Sequence, residues 1–189
     1  MRNIYEPTVS DKYRSFVFED DLDDALEWKN SYAPLLLASF GAKLQSKLIP
    51  LAIVPNPDEK KKKFADISLL GSNSLLILSS KAYKCLKDRL CSSGQFVPLR
   101  THSEEFIGFH VTCVINDAVI WERSKYREHD GARILYTPAL KQSAVEAGYL
   151  FMLQESRTRI YASQDFYDAC QEYKLSGIAW SNSKLIDVQ

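Results

Sequence analysis

Two serines stand where a strand-like apolar run gives way to a helical pattern, and a serine in that place can act either as a nucleophile or as a helix cap. Ser79 closes the run Leu-Leu-Ile-Leu-Ser, and Ser163 closes Ile-Tyr-Ala-Ser. A nucleophile between strand and helix needs the tight Gly-x-Ser-x-Gly elbow that exposes its hydroxyl. Neither Leu-Ser-Ser-Lys nor Ala-Ser-Gln-Asp supplies those glycines. A cap needs only a hydroxyl that accepts a bond from an orphaned first-turn N–H, followed by apolar residues on one helix face. Ala82, Cys85 and Leu86 follow Ser79 at that spacing, and Phe166, Ala169 and Cys170 follow Ser163. Both serines are therefore read as caps of two similar strand-Ser-helix units.

The remaining candidates for acid-base chemistry are dispersed. His110 lies on an alternating, strand-prone stretch and would need a carboxylate partner that the sequence alone does not place, Asp117 being one choice. Asp117 with Glu122 is a possible carboxylate pair of the glycosidase kind, but two acids at that spacing are common in exposed turns. Asp165 and Asp168 fall in the first turns of the second expected helix, where they favour its dipole. The four cysteines, Cys85, Cys91, Cys113 and Cys170, lack the short paired spacing of a zinc site and read as free thiols. Seven glycines, scattered singly, form no phosphate cradle. No metal and no cofactor are expected.

Charge is balanced at 24 basic and 24 acidic residues, yet unevenly placed. The first 59 residues hold six basic and ten acidic side chains, a net of −4 that the rest of the chain offsets. Their centre is Glu19, Asp20, Asp21, Asp23 and Asp24, with Glu27 one helical turn further on. One reading is a solvated helix start, since carboxylates are favourable in a first turn. The other is an electrostatic docking surface for a basic partner. A neutral chain is a poor binder of nucleic acid, which depends on clustered Lys and Arg to neutralise phosphates. Lys60, Lys61, Lys62 and Lys63 form the one basic block and read as a solvated loop.

An apolar share of 46% and an aromatic share of 12% place the chain among globular proteins and exclude general disorder. Its apolar runs fall short of the roughly 18 residues that span a bilayer, and its amino terminus lacks a secretory h-region, so a cytoplasmic protein without membrane contact is expected. Strands are expected over 15–18, 47–54, 75–78, 96–99, 134–137, 149–153, 159–162 and 178–180, with a long strand-prone stretch over 106–121. Helices are expected over 21–29, 80–90, 138–147 and 164–173, the last stopped by Gly177, and residues 122–133 read as a charged loop. The fold class is mixed α/β (α+β): one domain over 1–189 with a mixed central sheet flanked by helices, and an acidic amino-terminal segment over 1–45 packed on it.

From about Leu48 to Trp180 the order of features resembles a family of bacterial immunity proteins that accompany polymorphic and contact-dependent toxins, long catalogued as a domain of unknown function. The resemblance rests on Lys63-Phe64-Ala65-Asp66-Ile67, the strand-Ser-x-x-Ala element at Ser79, and the stretch from Phe109 to Ala118 followed by Trp121-Glu122-Arg123-Ser124. It continues through the second unit at Ser163 and ends in Leu175-Ser176-Gly177-Ile178-Ala179-Trp180. Asn116 and residues 138–148 depart from the pattern, and the first 45 residues lie outside it. The resemblance implies a non-catalytic, cofactor-free inhibitor that binds a cognate protein toxin by stoichiometric occlusion. The acidic cluster is then the expected contact. Two other readings stand beside it: a small hydrolase or transferase assembled around His110 and Asp117, and a homo-oligomeric structural protein built on an apolar sheet face or edge strand.

Overall fold

Apolar runs without polar alternation, such as Leu75 to Leu78 and Leu150 to Leu153, call for strands covered on both faces. The computed structural model describes residues 3–19, 40–44, 50–70, 75–101, 105–142, 146, 148–180 and 185–188. Its strands begin with β1 (Ile4–Tyr5), β2 (Thr8–Val9), β3 (Phe16–Phe18), β4 (Leu51–Pro55), β5 (Ile67–Leu69) and β6 (Leu75–Ser79). After helix α1 (Ser80–Leu90) come β7 (Gly94–Arg100), β8 (Phe106–Val111), β9 (Val114–Ile115), β10 (Lys125–His129), β11 (Ala132–Thr137) and β12 (Ala139–Leu140). The chain continues through β13 (Leu150–Leu153), β14 (Ser156–Ser163), helix α2 (Gln164–Glu172), β15 (Ile178–Ala179) and β16 (Leu185–Val188).

The fold is α+β, with its strands divided between two six-stranded sheets where one central sheet was expected. The first has the order β3-β4-β7-β8-β6-β5 and the second β12-β16-β1-β14-β13-β9. Both are mixed: β4 pairs parallel with β7, as do β12 with β16 and β13 with β9, and the other ladders are antiparallel. Two short ladders, β10 with β11 and β2 with β15, stand beside them.

The sheets and helices meet in one shared core. Leu76 and Leu78 of β6, Phe109 and Val111 of β8, Leu150 and Met152 of β13, and Ile160 and Ala162 of β14 enclose Ala82, Leu86 and Leu90 of α1 and Phe166, Ala169 and Cys170 of α2. Each helix thus buries the face that its apolar spacing set out. Burying one leucine of that face stabilises by about 1.5–3 kcal/mol. The alternate residues of the same strands supply two outer cores: Leu75 and Ile77 pack with Phe16, Phe18, Leu51 and Ile53, while Phe151, Leu153 and Tyr161 pack with Ile4, Val119, Leu135 and Leu140. That three-layer burial explains why β6 and β13 are apolar at every position.

Three expected elements differ. The stretch 106–121 is not one strand, because the chain changes sheets at Thr112 and Cys113, whose N–H groups both donate to the carbonyl of buried Ser93, at 3.0 and 3.2 Å. The helix expected over 138–147 gives way at its start to β12, which pairs with the remote β16. Tertiary pairing here overrides local propensity. Residues 122–133, read as a loop, include β10 and the turn Asp130-Gly131, both with positive φ (49° and 78°), which is the backbone a two-residue hairpin requires. The helix expected over 21–29 lies outside the described residues.

Helix α2 also stops differently. Lys174 takes a left-handed conformation (φ 50°), with its N–H on the Gln171 carbonyl and the Leu175 N–H on the Cys170 carbonyl, a Schellman ending. Gly177 serves close packing: a Cβ there would lie 1.9 Å from the Ile67 carbonyl oxygen.

Candidate functional site

A polar cluster forms where the start of β5, the first turn of α1 and the segment after α2 converge. Asp66 Oδ2 accepts from the N–H of Ser176 at 2.9 Å and from its hydroxyl at 2.8 Å, while Oδ1 accepts from the Ser79 hydroxyl at 3.1 Å. Lys81 Nζ stands 3.5 Å from Oδ2 and donates to the Lys174 carbonyl at 3.1 Å. Burial by itself would raise the Asp66 carboxyl, but the two Ser176 donors, the Lys81 charge and the Ser79 hydroxyl outweigh it and hold the group below its ordinary value. Ser79 Oγ also accepts the Ala82 N–H at 3.2 Å, so it caps α1 while its proton is given to Asp66. A hydroxyl committed on both sides is a strut, and the cluster ties residues 110 positions apart.

Ser163 is committed in the same manner. Its Oγ accepts from the Phe166 N–H at 3.4 Å and donates to the Tyr149 carbonyl at 3.3 Å. His110 is fully buried, and its Nε2 lies 3.0 Å from the Ala42 carbonyl, which can only accept, so that nitrogen carries the proton. Beside it Gln95 Oε1 accepts the Leu44 N–H at 2.7 Å, and Arg157 donates to the Phe40 carbonyl at 3.3 Å. Together these side chains fasten residues 40–44 across the edge where the two sheets meet. Asp117 sits in an exposed turn at φ 53°. A buried imidazole and an exposed turn carboxylate do not form an acid-base site that substrate can reach. Glu122 is exposed, and Asp168 accepts from Gln164 Nε2 at 2.9 Å along α2.

Of the acidic cluster, Glu19 is placed. Its Oε2 pairs with Arg100 Nη2 at 3.2 Å on an open surface, where such a pair contributes about 0–1 kcal/mol. Asp20, Asp21, Asp23, Asp24 and Glu27 lie outside the described residues. Among the described residues no three His, Cys, Asp or Glu side chains converge as a metal site would require, and no helix is long and apolar enough to cross a membrane.

Two surface aromatic groups escaped the sequence reading. Tyr5 stacks on Tyr167 at 4.7 Å, and Trp180 meets both edge-on, at 5.6 and 5.0 Å. On the β10–β11 ribbon the Arg133 guanidinium lies over the rings of Trp121 and Tyr126, at 4.9 and 5.1 Å. Tyr126, Ile134 and Tyr136 remain 37%, 41% and 48% exposed on that ribbon. Asp-Gly flanked by strand formers was the signal that would have found it. Compared with models of known protein families and with curated proteins, the chain matches none.

Proposed function

We propose that this protein is an immunity-type inhibitor that binds a cognate toxin stoichiometrically and blocks it, without catalysis or a cofactor, in the cytoplasm. The observation that carries the reading is the commitment of Ser79, Ser163 and His110 to the scaffold: each serine hydroxyl caps a helix while donating to Asp66 or to the Tyr149 carbonyl, and buried His110 bonds the Ala42 carbonyl through Nε2. What is left for function is surface, which suits a binder.

Within this reading the two strand-Ser-helix units are copies of one scaffold element in a single domain. The ladder order supports it. β5-β6-β8-β7-β4 and β13-β14-β1-β16-β12 follow the same sequence of directions, antiparallel three times and then parallel, with a serine-capped helix after the second strand of each. Because the amino-terminal β1 occupies in the second unit the place that β8 holds in the first, the chain starts in one unit, builds the other and returns.

The acidic segment is the proposed contact. Glu19, Asp20, Asp21, Asp23, Asp24 and Glu27 would meet a basic cleft, such as one that holds phosphates, and fill it with carboxylates. Co-expression with a candidate toxin gene, should one lie beside this gene, tests the function, and survival of the host is expected. Reversing Asp20, Asp21, Asp23 and Asp24 to Lys should weaken toxin binding and flatten its salt dependence. An unchanged affinity and salt slope removes the segment from the mechanism, and failure to protect removes the inhibitor reading.

A further inference from the structure

The β10–β11 ribbon carries an interaction surface that neither sheet uses. Each of its strands has one edge that is paired to nothing among the described residues. Opposed residues share a face, so Tyr126 with Leu135 and Glu128 with Arg133 form one side, and Arg127 with Ile134 and His129 with Ala132 form the other. The first side turns inward: Leu135 is 3% exposed, and Arg133 is drawn over Trp121 and Tyr126. The second faces solvent. Tyr136 is skipped by the ladder at its irregular step and stays exposed beside Ile134.

The two edges differ in what they could accept from a second copy. A two-fold axis normal to a sheet preserves faces, so an antiparallel edge-to-edge dimer must set some residue against itself on the axis. On β10 an axis at Arg127 opposes two arginines, one at Tyr126 opposes Lys125 and Arg127, and one at Glu128 opposes two glutamates. Like charges directly opposite are destabilising, and charged edges are the usual protection against such pairing. On β11 an axis at Ile134 sets Ile134 against itself, Ala132 against Tyr136, and Arg133 against Leu135, with no like charges opposed. Arg159 Nη1 covers the Tyr136 carbonyl at 2.8 Å, which leaves Ile134 as the open centre of that edge.

We propose that the free edge of β11 pairs with the same edge of a second copy of this chain about a two-fold axis at Ile134, forming a four-stranded ribbon β10-β11-β11-β10. The contact is short and belongs to the weak class of interfaces, below about 1,200 Å². It is independent of the inhibitor reading, and either can fail alone.

Sedimentation velocity of the full chain, from low micromolar to submillimolar concentration, should show the mean mass rising from one chain towards two. Ile134→Lys, at an exposed position, should weaken the association about tenfold or more while the melting curve stays in place. In a Cys91→Ser background, Ile134→Cys should form a disulfide-linked dimer on mild oxidation, whereas Arg127→Cys should not. A single-chain mass at every concentration overturns the proposal. So does a dimer indifferent to Ile134→Lys, or one that crosslinks at Arg127→Cys instead.

Discussion

Replacing Asp66 by Asn tests whether the polar cluster that ties β5 and the start of α1 to the segment after α2 holds the fold. The carboxylate accepts three hydrogen bonds, two from Ser176 and one from Ser79, and its side chain is 17% exposed. An amide offers one acceptor oxygen, so at least one of these donors must turn away from an NH2 group or lose its partner. Bonds to a charged acceptor contribute about 1.5–3 kcal/mol and neutral ones about 0.5–1.5. Three bonds falling from the first range to the second lose about 3 kcal/mol. The half-exposed Lys81 adds less than about 1 kcal/mol. After discounting for partial exposure, the expected loss is about 2–3 kcal/mol, a fall of about 5–10 °C in melting temperature for a chain of this size. Urea unfolding read by circular dichroism at neutral pH measures it.

The pH dependence gives a second check. Folding lowers the Asp66 carboxyl below its unfolded value of about 3.9, so the unfolded chain binds its proton first as pH falls. Its contribution is therefore complete above the unfolded value and is lost as pH drops through the folded one. The gap between the parent and Asp66→Asn should be widest near neutrality and close in acid. Glu59, held down to about 2 by Lys62 and by the Ser15 N–H and hydroxyl, is present in both proteins and cancels in the difference. A loss under about 0.5 kcal/mol at neutral pH, within ordinary surface scatter, or a gap that persists unchanged in acid, refutes the reasoning.

Two further outcomes follow from the same geometry. Lys174→Gly relieves a left-handed residue at the end of α2 and should raise the urea midpoint by an amount equivalent to about 0.5–1 kcal/mol, the Lys81 bond to its carbonyl being kept; a lower midpoint contradicts this. Burial pushes the Cys170 thiol up to about 12 and raises Cys113 as well, whereas Cys91 is exposed. A thiol-disulfide reagent near pH 8 should therefore label Cys91 first and reach Cys170 only in denaturant, and mass spectrometry showing both labelled at equal rates in native protein rejects it.

The parts of the fold that were legible are those governed by neighbours within about one helical turn. Ser79 and Ser163 each accept the N–H three residues on, and Ala82, Leu86 and Leu90 lie on the buried face of α1. The Asp130-Gly131 turn was equally local, but the charged residues around it masked a ribbon whose exposed strands lack apolar alternation. For the candidate site, the amino-acid types suggested His110 with Asp117, and burial separated them. Residues 139–140 show the converse, since their strand is held by partners remote in sequence, β16 on one side and residues 118–120 on the other.

By itself, then, the sequence determined the caps, the buried helix faces and the doubly covered strands, because backbone geometry and apolar period act over a few residues. Tertiary structure alone decided that β1 inserts between β14 and β16, that the chain switches sheets at Thr112 and Cys113 against the Ser93 carbonyl, and that Asp66 meets Ser176. Those choices join residues up to about 180 positions apart, and only the free energy of the whole packed core selects among the pairings that local pattern permits.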